Sequence, residues 1–64
     1  MSVTILMKNN RYEVIPGICL EEALHSIGME VESVLALRDG KLISAETILA
    51  DGEVVKLVTV IVGG

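Results

Sequence analysis

The scarcity of cysteine and histidine limits how this chain of 64 residues can hold a fold. A domain of this size buries only about 60 % of the surface that its unfolded chain exposes, so small domains often need a disulfide, a metal or a partner. Cys19 has no second cysteine to pair with, and Cys19 with His25 alone cannot complete a zinc site of four such ligands. The hydrophobic residues, 52 % of the chain and almost all aliphatic, must therefore form the core that stabilises the domain.

The charge and composition argue against nucleic-acid and membrane partners. The net charge is −4, and the basic residues are dispersed along the chain. Tyr12 is the only aromatic residue, so the chain has no platform for stacking bases. The sequence contains neither an apolar run of the ~20 residues that span a bilayer nor a signal-peptide pattern. We therefore expect a cytoplasmic protein that binds neither nucleic acid nor a membrane.

Alternating apolar and polar residues predict a hairpin at the start of the chain. The alternation covers residues 3–8 and 11–14, and Asn9-Asn10 between them tolerate the positive φ of a tight turn. Pro16-Gly17 then ends the second strand.

After this hairpin the spacing of the apolar residues becomes that of a helix. Four apolar residues fall at the i, i+3, i+4 and i+7 positions of one helix face: Leu20, Ala23, Leu24 and Ile27. Glu21 and Glu22 lie in the first turn, where the helix dipole favours negative charge, and Gly28 is expected as the residue that ends the helix.

The second half of the chain returns to strands. Residues 34–38 predict a strand that turns at Asp39-Gly40 and continues through residues 42–43. An irregular segment follows, in which Ile48 and Leu49 are expected in the core. Asp51-Gly52 then turns the chain into a last strand, which we expect to be buried on both faces through Val58.

These elements can bury their apolar faces together if the first and last strands lie side by side and parallel. We therefore expect an α+β fold, a ubiquitin-like β-grasp with a mixed four- to five-stranded sheet wrapped around one helix. The chain would form one domain, with a globular part at residues 1–60 and a flexible Gly-Gly tail within residues 61–64.

Three segments carry a resemblance to a known family. They are the helix entry at residues 17–22, the turn Asp39-Gly40-Lys41, and residues 49–57 followed at the end of the sequence by Gly63-Gly64. In these segments the chain resembles the ThiS/MoaD family of prokaryotic ubiquitin-like sulfur carriers, with the related small archaeal modifiers. The resemblance covers essentially the whole chain, and the match at its end is the most specific part.

The resemblance implies a carrier and not an enzyme. An adenylyltransferase similar to ubiquitin-activating enzymes would use ATP to adenylate the Gly64 carboxylate, and Gly63 and Gly64, which lack Cβ atoms, would fit its narrow channel. A persulfide from a cysteine desulfurase or a rhodanese would then give a thiocarboxylate for a sulfur-accepting synthase. The chain itself would bind no cofactor and no metal, and its sequence contains no phosphate-binding loop and no catalytic triad.

The resemblance does not decide which branch of the family the chain is most similar to. Molybdopterin-type carriers typically have a Pro-Pro pair where this chain has Thr59-Val60, and thiamine-type carriers often have an aromatic residue within residues 44–49, which is also absent here. The helix entry and the aliphatic tail slightly favour thiamine thiazole formation over molybdopterin synthesis, and tRNA thiolation is a third acceptor pathway. Two other functions remain: a modifier joined through Gly64 to lysines, or an interaction module in which the glycines are incidental.

Partner docking is expected near the end of the chain. Val60, Ile61 and Val62 are apolar residues that a partner groove could cover while their backbone pairs with it. Asp51 and Glu53 either form a solvated surface or bind a basic surface of the activating enzyme.

Cys19 and His25 have simple structural interpretations. Cys19 occupies the position of a helix cap, so a weak cap or a small buried group is expected. The alternative is persulfide or acyl-transfer chemistry, because a helix N-terminus can lower the pKa of a thiol. His25 is expected to be exposed or at the edge of the apolar stripe.

Overall fold

The computed structural model describes residues 1–60, which form a small α+β fold. These residues contain five strands: β1 (Val3–Met7), β2 (Asn10–Val14), β3 (Val34–Arg38), β4 (Lys41–Leu42) and β5 (Val54–Thr59). The helix α1 (Leu20–Ser26) and a single 3-10 turn (Val31–Ser33) connect β2 to β3. No helix within residues 1–60 combines the length and the apolar character needed to cross a bilayer.

The strands form one mixed sheet in the order β2-β1-β5-β3-β4. β1 and β5 are parallel, with Ile5 beside Val55, and the other neighbouring strands are antiparallel. The predicted pairing of the first and last strands is therefore confirmed. As a result, the last strand lies in the middle of the sheet and is hydrogen-bonded along both of its edges.

The core lies between one face of this sheet and α1. Its buried residues come from both hairpins, the helix, the central strand and one loop: Val3, Ile5, Val14, Leu20, Ala23, Leu24, Val34, Ala36, Leu49, Val55 and Leu57. All are aliphatic, and no polar or charged residue among those described is buried. The expectation that aliphatic packing holds this chain together is met within residues 1–60.

The helix ends as its sequence predicts. Gly28 has a φ of +80°, and its N–H donates to the carbonyl of His25, while the N–H of Met29 donates to the carbonyl of Leu24. This pair of bonds is the Schellman arrangement, in which a residue of positive φ satisfies the last carbonyls of a helix. Glycine meets the requirement for positive φ without a steric cost.

The turn of the first hairpin is one residue earlier than predicted. Met7 already pairs with Asn10, so the two-residue loop is Lys8-Asn9, and the positive φ, +49°, is at Lys8. The prediction of Asn9-Asn10 was wrong because the register is set by burial, which places Ile5 opposite Tyr12 and so fixes the loop. The second hairpin turns at Asp39-Gly40, as predicted, and both residues have positive φ.

Two expectations of burial are wrong. Leu49 is fully buried but Ile48 is 58 % exposed, because this segment is extended and bridges to Cys19, so neighbouring side chains point in opposite directions. Val58 is 45 % exposed, because α1 covers one face of the sheet only. The last strand also ends at Thr59, and residues 61–64, where the tail is expected, lie outside the described residues.

Replacing Leu57 by alanine should strongly destabilise the fold. Leu57 is buried in the central strand, and large-to-small changes in a core cost about 2–5 kcal/mol. Urea denaturation followed by circular dichroism measures this loss. Val58→Ala on the same strand is the control and should cost less than about 1 kcal/mol, since its side chain faces out. Equal losses for the two variants would contradict the assignment of the faces.

Candidate docking surface

The sheet face opposite α1 carries an apolar surface. Side chains alternate along each strand, so the residues between the core positions of β1, β3 and β5 point away from the helix. We call the apolar residues on this side of β1, β3, β4 and β5, together with Lys56, the outer face: Leu6, Leu35, Leu37, Leu42, Val54, Lys56 and Val58. Four of its members are large apolar side chains with substantial exposure, from 45 % at Val58 to 64 % at Leu42. A connected apolar set of this kind is typical of an interaction surface.

The strand registers connect these residues into one surface. Leu35 pairs with Val58, and Leu37 pairs both with Lys56 on β5 and with Leu42 on β4. On the other side of β5, Leu6 is beside Lys56. The outer face therefore extends across four strands, with β5 along its middle.

A clamp holds the turn that precedes β5. Oε1 of Glu53 accepts a hydrogen bond from the N–H of Ala50 at 2.7 Å and forms a salt bridge with Nη1 of Arg38 at 3.0 Å. The N–H of Gly52 donates to the carbonyl of Ser2, and the N–H of Thr4 donates to the carbonyl of Glu53. These bonds fix the start of β5 against β1 and β3.

The two acidic residues expected to dock a partner differ in environment. Asp51 is exposed in the turn, whereas the Glu53 carboxylate is already bonded to Ala50 and Arg38. Both precede β5, while Val60 follows it, so the six residues of the strand, about 20 Å at ~3.3 Å each, separate the two acidic residues from Val60. Asp51 and Glu53 therefore lie at the opposite end of β5 from Val60.

Val60 is the last described residue and lies where the chain leaves the sheet. It is 38 % exposed, and its N–H donates to the carbonyl of Ser33 at 3.0 Å. The other predicted site residues, Ile61, Val62, Gly63 and Gly64, lie outside the described residues.

The N-terminal side of α1 shows no assembled reactive centre. Cys19 is half-buried and its side chain makes no capping hydrogen bond; only its carbonyl takes part, accepting from the N–H of Ala23. His25 is exposed, as predicted, and shares a shallow surface depression with Cys19, Glu21 and Glu22. Among residues 1–60 no group of three or more histidine, cysteine or carboxylate side chains is arranged to hold a metal.

The comparisons with known proteins give no assignment. No protein-family model matches the sequence, and no curated protein matches it. The strand order and the outer face are the structural features that bear on function.

The clamp at Glu53 predicts how stability depends on pH. The hydrogen bond from Ala50, and then the interactions with Arg38, hold the pKa of Glu53 below its ordinary value of 4.5. A lowered pKa in the folded state means that the carboxylate stabilises the fold above pH 4.5, and that this stabilisation is lost as the pH falls through the lowered pKa. Thermal unfolding of wild type and Glu53→Gln between pH 7 and about pH 3 should show the two curves converging in acid. Glu13→Gln is the control, and a Glu53→Gln curve parallel to wild type would contradict the clamp.

Proposed function

We propose that the chain has a ubiquitin-like β-grasp fold and acts as a small cytoplasmic sulfur carrier similar to the ThiS/MoaD proteins. In this proposal the Gly64 carboxylate is adenylated and converted to a thiocarboxylate, and the chain is a substrate of its activating enzyme. The observation that carries the proposal is the position of β5. The last strand lies in the centre of the sheet, parallel to β1, and leads directly to Val60 and the residues after it.

A central strand suits the delivery of a chain end to another protein. Val55 and Leu57 anchor β5 in the core, and β1 and β3 bond both edges of the strand. Residues 61–64 span at most about 14 Å when fully extended, so the reach of Gly64 from the end of the sheet is bounded. A partner that binds the sheet in one orientation therefore receives Gly64 within a bounded distance, which limits the search for the geometry that a reaction between two bound molecules requires.

The chemistry needs an activated carboxylate, because a free carboxylate is a poor electrophile. The Gly64 carboxylate attacks the α-phosphate of ATP and releases pyrophosphate, which leaves an acyl adenylate. The terminal sulfur of a persulfide, from a cysteine desulfurase or a rhodanese, then attacks the acyl carbon and AMP departs. A second thiol cleaves the resulting S–S bond, becomes part of a disulfide, and releases the thiocarboxylate for a sulfur-accepting synthase.

The outer face supports the same proposal. An activating adenylyltransferase must hold the carrier while the chain end reacts, and the apolar outer face offers a surface for that contact. Val60, with Ile61 and Val62, would enter the groove that leads to the active site, while Asp51 would contact a basic group at the far end of β5. Among acceptor pathways, thiamine thiazole formation is slightly favoured because the helix entry and the aliphatic tail are closer to those of thiamine-type carriers, while Thr59-Val60 replaces the Pro-Pro pair of molybdopterin-type carriers.

The proposal is tested by reconstituting activation. The purified chain is incubated with candidate adenylyltransferases from its host, and adenylation is followed by ATP–pyrophosphate exchange. A persulfide donor is then added, and the intact mass of the chain is measured. We expect exchange with the wild type and replacement of one C-terminal oxygen by sulfur. Deletion of Gly64 should abolish exchange while thermal unfolding stays unchanged, because Gly64 follows the last core strand.

Other results would favour the alternative functions. Exchange without sulfur transfer, together with a Gly-Gly remnant on lysines of other proteins, would contradict the carrier and indicate a protein modifier. Equal ATP–pyrophosphate exchange with the wild type and with the chain that lacks Gly64 would contradict both the carrier and the modifier function. Lys41→Met is a control for the effect of making a variant at all, and it should show the same exchange as the wild type. Lys41 lies on the short edge strand β4 and does not belong to the outer face.

A further inference from the structure

We propose that Lys56 determines which protein can cover the outer face, by requiring a carboxylate on an otherwise apolar partner surface. The proposal rests on the proposed function in one respect, since it takes this partner to be the activating adenylyltransferase. It assigns to Lys56 a role in specificity, and none in the chemistry at Gly64.

Lys56 lies at the centre of the outer face. In the sheet register Leu6 is its neighbour on β1 and Leu37 is its neighbour on β3. Along β5, Val54 and Val58 lie two residues away on the same face. A single cation is therefore surrounded by apolar side chains in all four directions. Its methylene stem can lie over these neighbours while the ammonium group stays in water.

The ammonium group has no partner within the described part of the chain. The salt bridge found among residues 1–60 joins Arg38 to Glu53. Asp39 lies in the same shallow depression as Lys56, lined also by Leu6 and Leu37, but forms no salt bridge with it. Lys56 is exposed to water, and no carboxylate among residues 1–60 lies within salt-bridge distance of its ammonium group.

Covering the outer face removes that water. An ammonium group buried without a partner is strongly destabilising, whereas one that meets a carboxylate in good geometry retains most of the lost stabilisation. A partner with a purely apolar surface is therefore rejected, and a partner with an aligned carboxylate is accepted. Apolar contact supplies the attraction and Lys56 supplies the discrimination.

The same charge argues against the other occupants of this face. In a symmetric dimer centred on the outer face, the two-fold axis would bring Lys56 of one copy against Lys56 of the other. An anionic nucleic acid or membrane would meet Lys56, and Arg11 beyond Leu6, on a chain whose net charge is −4, which repels such a surface. A different protein with a carboxylate in an apolar patch is the occupant that satisfies both the apolar residues and the cation.

The test uses the adenylyltransferase that supports ATP–pyrophosphate exchange with the wild-type chain. Lys56→Met removes the charge and keeps an unbranched side chain, and Lys56→Glu reverses the charge. Lys41→Met and Lys41→Glu are matched controls, because Lys41 is also exposed on a strand but pairs with Arg38 on the opposite side of the sheet. Thermal unfolding checks that all four variants fold.

We expect the variants to change KM for the carrier and not kcat. Lys56→Met should raise KM by about 30-fold or more, because it leaves a carboxylate of the partner buried and unpaired, and Lys56→Glu should raise it further. Both Lys41 variants should stay within about twofold of wild type, as expected for an exposed charge outside the contact. Increasing salt should weaken wild type more than Lys56→Met.

Three results would overturn the proposal. A KM for Lys56→Met equal to that of wild type, with exchange still lost on deletion of Gly64, would remove the role of Lys56 and leave the carrier function intact. A wild-type dimer in sedimentation equilibrium that disappears in Val58→Glu would show that a second copy occupies the outer face. Absence of exchange by the wild type with any adenylyltransferase of the host would overturn both the carrier function and this inference.

Discussion

The parallel pairing of β1 with β5 is the contact on which the rest of the structure depends. It joins segments near the two ends of the sequence and places Ile5 beside Val55 in the centre of the sheet. Each of these strands then takes one antiparallel neighbour, β2 or β3, so both hairpins are attached through this pair. In a chain with no disulfide, this pairing and the aliphatic core beneath it supply the long-range order within residues 1–60.

The same pairing explains why the domain has an exposed apolar face. The helix α1 has seven residues and packs against one face of a sheet that has five strands. Among residues 1–60 no second layer lies on the other side of the sheet. Leu35, Val54 and Val58 therefore remain exposed, and this is the surface that the proposed partner would cover. In that proposal Lys56, in the middle of the surface, makes the binding selective.

The sequence predicted those features that are set locally. The apolar stripe of α1, its end at Gly28 and the turn at Asp39-Gly40 follow from residues within a few positions of one another, and all three are confirmed. The mixed sheet with parallel first and last strands was also predicted, because few arrangements of a hairpin, a helix and further strands can bury every apolar face.

The features that were mispredicted or missed depend on distant residues. Leu49 enters the core and Ile48 does not, because the segment pairs with Cys19 through an isolated β-bridge. The pattern of apolar and polar residues in such a short, irregular segment could not show this pairing. The clamp joins Arg38 to Glu53, which are fifteen positions apart in the sequence, so the sequence around either residue does not predict the salt bridge. The central place of Lys56 appears only when the registers of β1, β3 and β5 are combined. Sequence reasoning therefore missed the outer face, while the roles expected for Asp51, Glu53 and the end of the chain stay predictions.

The central claim is that Gly64 carries sulfur. The most direct measurement is the intact mass of the native chain isolated from its host without reductant, followed by fragmentation to locate any change. The account predicts that a fraction of the chain carries sulfur in place of one oxygen in the terminal carboxyl group of Gly64. A chain that carries only an unmodified carboxylate, or whose Gly64 is found in amide linkage to lysines of other proteins, would contradict it.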